Sequence, residues 1–73
     1  MEFDYSRLNG RIETVCGTQR QFAKVIGISE HTISKKLNNC VDWKQREIMK
    51  AVPILKIKQD EISEYFFTPK VQF

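Results

Sequence analysis

A chain of 73 residues with 41% hydrophobic side chains and a formal net charge of +3 makes one small globular domain, which argues against a disordered chain and, with no long apolar run, excludes a membrane span. The mild positive balance favours a polyanionic partner without requiring one. Two cysteines and one histidine cannot supply a four-ligand zinc site, so no metal or cofactor is expected.

The opening Met1-Glu2-Phe3-Asp4 lacks the basic and apolar regions of a secretory signal, so a cytoplasmic location and free thiols at Cys16 and Cys40 are expected. Five helices are predicted. The first runs from about Asp4 to Cys16. Asp4 caps it, and Tyr5, Leu8, Ile12, Val15 and Cys16 recur at helical spacing on its buried face. Gly10 is a weak point within that pattern, and Gly17 ends it. Thr18 caps the second helix, Gln19 to Ile26, in which Phe22, Ala23 and Ile26 face inward. Gly27 stops that helix because a residue without Cβ enters the left-handed region cheaply. Ser29 caps the third, Glu30 to Leu37, and Asn38-Asn39 close it. Asp42, with Gln45 three residues on, is expected to start the fourth helix, with Trp43 across the top of the core and Ile48, Ala51 and Val52 along one face. Pro53 should stop or kink it near Val52. Leu55 and Ile57 are apolar links. A fifth helix begins at Lys58 or Gln59 and ends near Phe66 or Phe67. Thr68-Pro69 ends regular helix, and the tail 69–73 alternates apolar and polar residues.

Residues 18–38 carry the strongest local signal. Gln19, Ala23, Gly27, Ile28, Ser29, Ile33, Leu37 and Asn38 stand where two crossing helices need them: a small residue at the close approach, a glycine at the break, a cap, and an apolar pair four apart. A plain αα-hairpin with no nucleic acid has the same packing needs. The pattern resembles the helix-turn-helix of the phage repressor and Cro class, with a recognition helix at about 29–38 inside a domain spanning 1–68. The opening through Leu8 and the ending Ile62-Ser63-Glu64-Tyr65-Phe66-Phe67 are similar to small Cro-like proteins of phages from Gram-positive bacteria. The resemblance implies an all-α, five-helix, lambda-repressor-like fold and a place in a lysis-lysogeny switch.

It also implies roles. Glu30, His31, Thr32, Ser34 and Lys35 match the positions that face bases. The helical phase agrees for Glu30, His31, Ser34 and Lys35, since Ile33 and Leu37 point inward. Lys35 and His31 suit acceptors on guanine, and Glu30 suits cytosine N4. Gln19 and Asn38 match positions that touch phosphate. Lys36 and Lys44 are further phosphate candidates, Lys44 at a helix N-terminus. Each has a plainer reading: His31 and the Lys35-Lys36 pair as solvated surface, Glu30 as a helix-dipole partner. Arg11, Arg20 and Lys24 match no functional position and are read as solvated. At the other end, Tyr65, Phe66 and Phe67 cannot all be buried by one helix face. Tyr65, Phe67, Val71 and Phe73 are therefore candidates for a dimer or partner interface, the tail pairing by strand addition.

The leading expectation is a sequence-specific transcriptional regulator, a Cro-like repressor that binds a double-stranded operator as a homodimer, with half-sites about one helical turn apart. The alternative is a modulator that binds a partner phage repressor and blocks its DNA-binding surface. The modest net charge, Glu30 and the aromatic C-terminus favour it. An enzyme is not expected, because no nucleophile–base pair, phosphate loop or paired-carboxylate cleft is present.

Overall fold

The computed structural model describes residues 2–71. α1 (Ser6–Cys16) begins where Asp4 Oδ1 accepts the Ser6 N–H at 2.9 Å, a helix-capping bond from two residues upstream. Hydrogen bonds from the Ser6 side chain and then from its N–H, with the Lys70 charge, hold the exposed Asp4 carboxyl below its ordinary value. Tyr5, Leu8 and Ile12 are buried, with Val15 and Cys16 packed beside them, so the expected face is the observed one. Gly10 lies mid-helix without breaking it. Gly17, at φ +87°, ends α1 and donates its N–H to the Glu13 carbonyl.

α2 (Gln19–Ile26) starts as expected: Thr18 Oγ1 accepts the Gln21 N–H at 3.1 Å. It is the hub of the fold, packing against α1, against α3 (Glu30–Leu37) and against α4 (Gln45–Ile54). Phe22 and Ile26, on its inner face, are fully buried. A single turn of 3₁₀ helix (Gln59–Glu61) leads into α5 (Ile62–Phe66), which closes the base against α1. Among the described residues the fold is all-α with five α-helices, and none of them is long and apolar enough to cross a membrane.

Three local expectations are corrected. α4 starts at Gln45, not Asp42: its cap is Glu47, whose Oε1 accepts the Lys44 N–H at 2.8 Å. α4 also runs past Val52 through Pro53 to Ile54. The N–H that proline lacks would have met the Met49 carbonyl, on a side of the helix where Met49 and Pro53 are both exposed, so its loss leaves no buried acceptor stranded. Beyond it, Lys56 takes a left-handed conformation (φ +55°), its N–H reaches the Pro53 carbonyl, and the Ile57 N–H reaches Val52 at 3.0 Å. This paired C-terminal turn folds Leu55 and Ile57 into the core. Arg11, expected to be solvated, caps the same end: its Nε donates to the Leu55 carbonyl at 2.8 Å and its Nη2 to that of Lys56 at 3.0 Å.

Residues 2–4 pair with residues 68–70. Phe3 and Pro69 form a single antiparallel bridge, flanked by Asp4 N–H to Thr68 and Lys70 N–H to Glu2. Cys16 is half-buried and Cys40 exposed, both as free thiols.

Candidate functional site

The α2–α3 corner is built by local chemistry. Gly27 sits at φ +79° and donates to the Ala23 carbonyl, which also accepts the Ile28 N–H. Ser29 Oγ accepts the Thr32 N–H at 3.2 Å, starting α3. Ile33 is fully buried and Leu37 packs against the core, which fixes what the opposite side of α3 presents.

That outer side carries Glu30, His31, Lys35 and Asn38, all exposed. Ser34 is half-buried. Thr32 belongs instead to the cap: half-buried, it donates its N–H to Ser29 and accepts the Ser29 hydroxyl at 2.8 Å. Asn38 Nδ2 donates to the Ser34 carbonyl at 2.8 Å. Gln19 is half-buried, its Nε2 donating to Asn9 Oδ1 at 3.0 Å, so it braces α1. Gln19 and Asn38 do line one polar hollow of about 290 Å³ together with Asn9 and Lys70. Lys44 is exposed before α4.

Lys36 is corrected outright. Expected on the surface as a phosphate contact, it is 1% exposed. Its Nζ forms an ion pair with Glu47 at 2.8 Å and donates to the Asp42 carbonyl at 2.8 Å. The phase of α3 puts it one turn from Ile33 on the inner face, and no phosphate reaches it there. Burial would push the Glu47 carboxyl up, but the hydrogen bonds from Lys36 and from the Lys44 N–H, with both positive charges, outweigh this and hold it below the ordinary 4.5.

The C-terminal aromatics divide between core and surface. Phe66 is buried edge-on to Trp43 at 5.4 Å. Tyr65 is half-buried. Phe67 remains 49% exposed while its ring meets Phe3 edge-on at 6.0 Å. Val71 is 69% exposed; Phe73 lies outside the described residues. Of the tail expected to pair by strand addition, Gln72 and Phe73 lie outside the described residues. Its start is already paired with Glu2–Asp4, and Pro69 has no N–H to offer an incoming strand. On the opposite edge, the Asn39 side chain takes both backbone groups of Phe3, each at 2.9 Å.

A feature that the sequence did not announce lies beside Phe67. Trp43, Gln45, Ile48, Met49, Ile62 and Phe67 line an apolar groove of about 460 Å³ between α4 and α5. Met49 is 59% exposed on its wall. The available signal was the adjacent pair Ile48-Met49: two large apolar residues side by side on a helix that has only one inward face.

The family described as "Protein of unknown function (DUF739)" matches residues 1–69. The chain belongs to the DUF739 family. This member is also similar to the solution structure of the modulator of repression (MOR) of the temperate bacteriophage TP901-1 from Lactococcus lactis: 50% identity over 99% of this chain and 97% of that one, with a TM-score of 0.80. No curated protein matches it.

Proposed function

We propose that this chain is a modulator of a phage repressor, acting by binding that repressor and covering its DNA-binding surface. The observation that carries the reading is the 50% identity, end to end, with a phage modulator of repression. It reorders the two expectations from sequence, which put direct operator binding by a Cro-like helix-turn-helix dimer first.

The geometry supports the same order. Phosphate contacts dominate affinity for DNA, and of the four residues expected to make them Lys36 is withdrawn into the core and Gln19 is tied to Asn9. The outer face of α3 keeps Lys35 and His31 but sets Glu30 among them. The apolar groove, by contrast, offers methionine and aromatic side chains, types enriched in protein–protein interfaces.

A competition on operator DNA tests this reading. Partner repressor is bound to its labelled operator, purified chain is added, and free operator is followed by gel shift. Release of the operator, with a repressor–modulator complex in size-exclusion chromatography, is the expected outcome. Binding of the chain alone to operator, with the repressor undisturbed, would instead restore the direct reader that His31 and Lys35 were expected to serve.

A further inference from the structure

Lys36 is the buried charged residue among the described residues, and its surroundings are specific. Besides Glu47 and the Asp42 carbonyl, it has the Trp43 ring at 5.8 Å. Glu47 Oε1 accepts twice, from Lys36 Nζ and from the Lys44 N–H, each at 2.8 Å. Two side chains, one from α3 and one from α4, thus stitch the connecting segment at two backbone points, residues 42 and 44. Cys40, Val41, Asp42 and Lys44 are exposed; Trp43 is the buried side chain of the stretch 40–44.

Cohesion between α3 and α4 does not explain this pair. Desolvating a lysine and a carboxylate is costly, and an apolar pair of similar volume holds two helices as well or better. What an apolar pair lacks is direction: it cannot donate to the Asp42 carbonyl or accept the Lys44 N–H. Trp43, whose buried Nε1 has no acceptor among the described residues, is not fixed by a hydrogen bond to any of them.

We infer that the Lys36–Glu47 pair is a conformational latch: it selects one path for residues 39–44, holds Trp43 as the floor of the α4–α5 groove, and when broken lets that segment open while the remaining helices stay folded. This inference is independent of the partner-repressor reading, because it concerns the isolated chain. The charged and titratable groups around the latch are Lys36 from α3, Asp42 and Lys44 from the segment, Glu47 from α4, and Tyr5, whose hydroxyl is pushed up by burial and by the Asp42 charge.

The test is amide hydrogen exchange by NMR on the wild type, Lys36→Met and Glu47→Gln. Lys36→Met fills the space with an apolar chain and removes both the charge and the Asp42 bond. Glu47→Gln keeps an acceptor for Lys44 and leaves the lysine charge unneutralised. A latch predicts that the Asn39 and Cys40 amides, which bond to the Lys36 and Lys35 carbonyls, exchange at least tenfold faster in Lys36→Met. The slowest amides of α1 and α2, which report global unfolding, should stay within about twofold of wild type. Glu47→Gln should show the same segment acceleration, and the Trp43 indole resonance should shift or broaden in both. Segment amides that exchange at wild-type rates in Lys36→Met overturn the latch. So does acceleration confined to the slowest core amides, which would make the pair a source of bulk stability alone.

Discussion

Two connections flank α3, and they are made in different ways. The one before it needs three residues, and each acts locally. Gly27 takes the left-handed conformation, Ile28 donates back to Ala23, and Ser29 caps the next helix. The one after it opens with a similar device. Asn39 is left-handed at φ +63°, and the Cys40 N–H returns to Lys35 at 2.9 Å. From there the path to α4 is held by side chains outside the segment or from the far end of the chain: Asn39 against Phe3, and Lys36 and Glu47, paired across eleven residues, against the backbone of Asp42 and Lys44. A tight reversal can be written in its own residues. A longer crossing has no such code and borrows its shape from tertiary partners.

Substitutions can break that contrast. The largest effect is expected for Glu47→Ala, which takes the carboxylate from Lys36 and removes a cap: the Asn39 and Cys40 amides should exchange faster than in any other variant, while the slowest amides of α1 and α2 stay near wild type. Its pH dependence sharpens the point. Because the folded Glu47 carboxyl lies below 4.5, the stability it contributes to that segment is fully present above that value and is lost as pH falls through the lower folded value. The acid side of the segment's stability profile should flatten in Glu47→Gln. Next comes Asn39→Ala, at about 2–3 kcal/mol by urea denaturation from two lost bonds and a left-handed residue with no polar compensation; Asn39→Gly should recover only the backbone part. Gly27→Ala should cost about 1–2 kcal/mol in thermal unfolding from the positive φ, and the added Cβ would also press on Lys50 Nζ at 3.3 Å. Ser29→Ala should cost about 1 kcal/mol. If Gly27→Ala sped the Asn39 and Cys40 amides more than Glu47→Ala, the local turn rather than the borrowed one would be the critical joint.

The same contrast explains what was legible in the sequence. Thr18, Gly27, Ser29 and the α1 face act through neighbours within four residues, and those spacings are visible in the letters. Lys36 was misplaced because its partner stands eleven residues away across an irregular crossing, although its helical phase with Ile33 pointed inward. The average behaviour of lysine outweighed that phase. Gln19 was read through its resemblance to a phosphate contact, while its observed partner, Asn9, sits on another helix with no motif to announce it. The groove needed Trp43, Met49 and Phe67 to be brought together from three separate stretches. Residues such as Glu30, His31 and Lys35, whose placement depends on phase alone, came out on the outer face as expected.

The Phe3–Pro69 bridge has a kinetic consequence. It closes almost the whole chain into one loop, and the entropy of closing a loop must be met before its single bridge and flanking bonds give anything back. The helical pairs α1–α2 and α2–α3 lie between neighbours in sequence, so contact order predicts that they assemble before the Phe3–Pro69 bridge joins. Tying the ends together with a short peptide would remove that closure step, so that a cyclic version of the chain would gain most of its stability from a less expansive unfolded state rather than from any new contact.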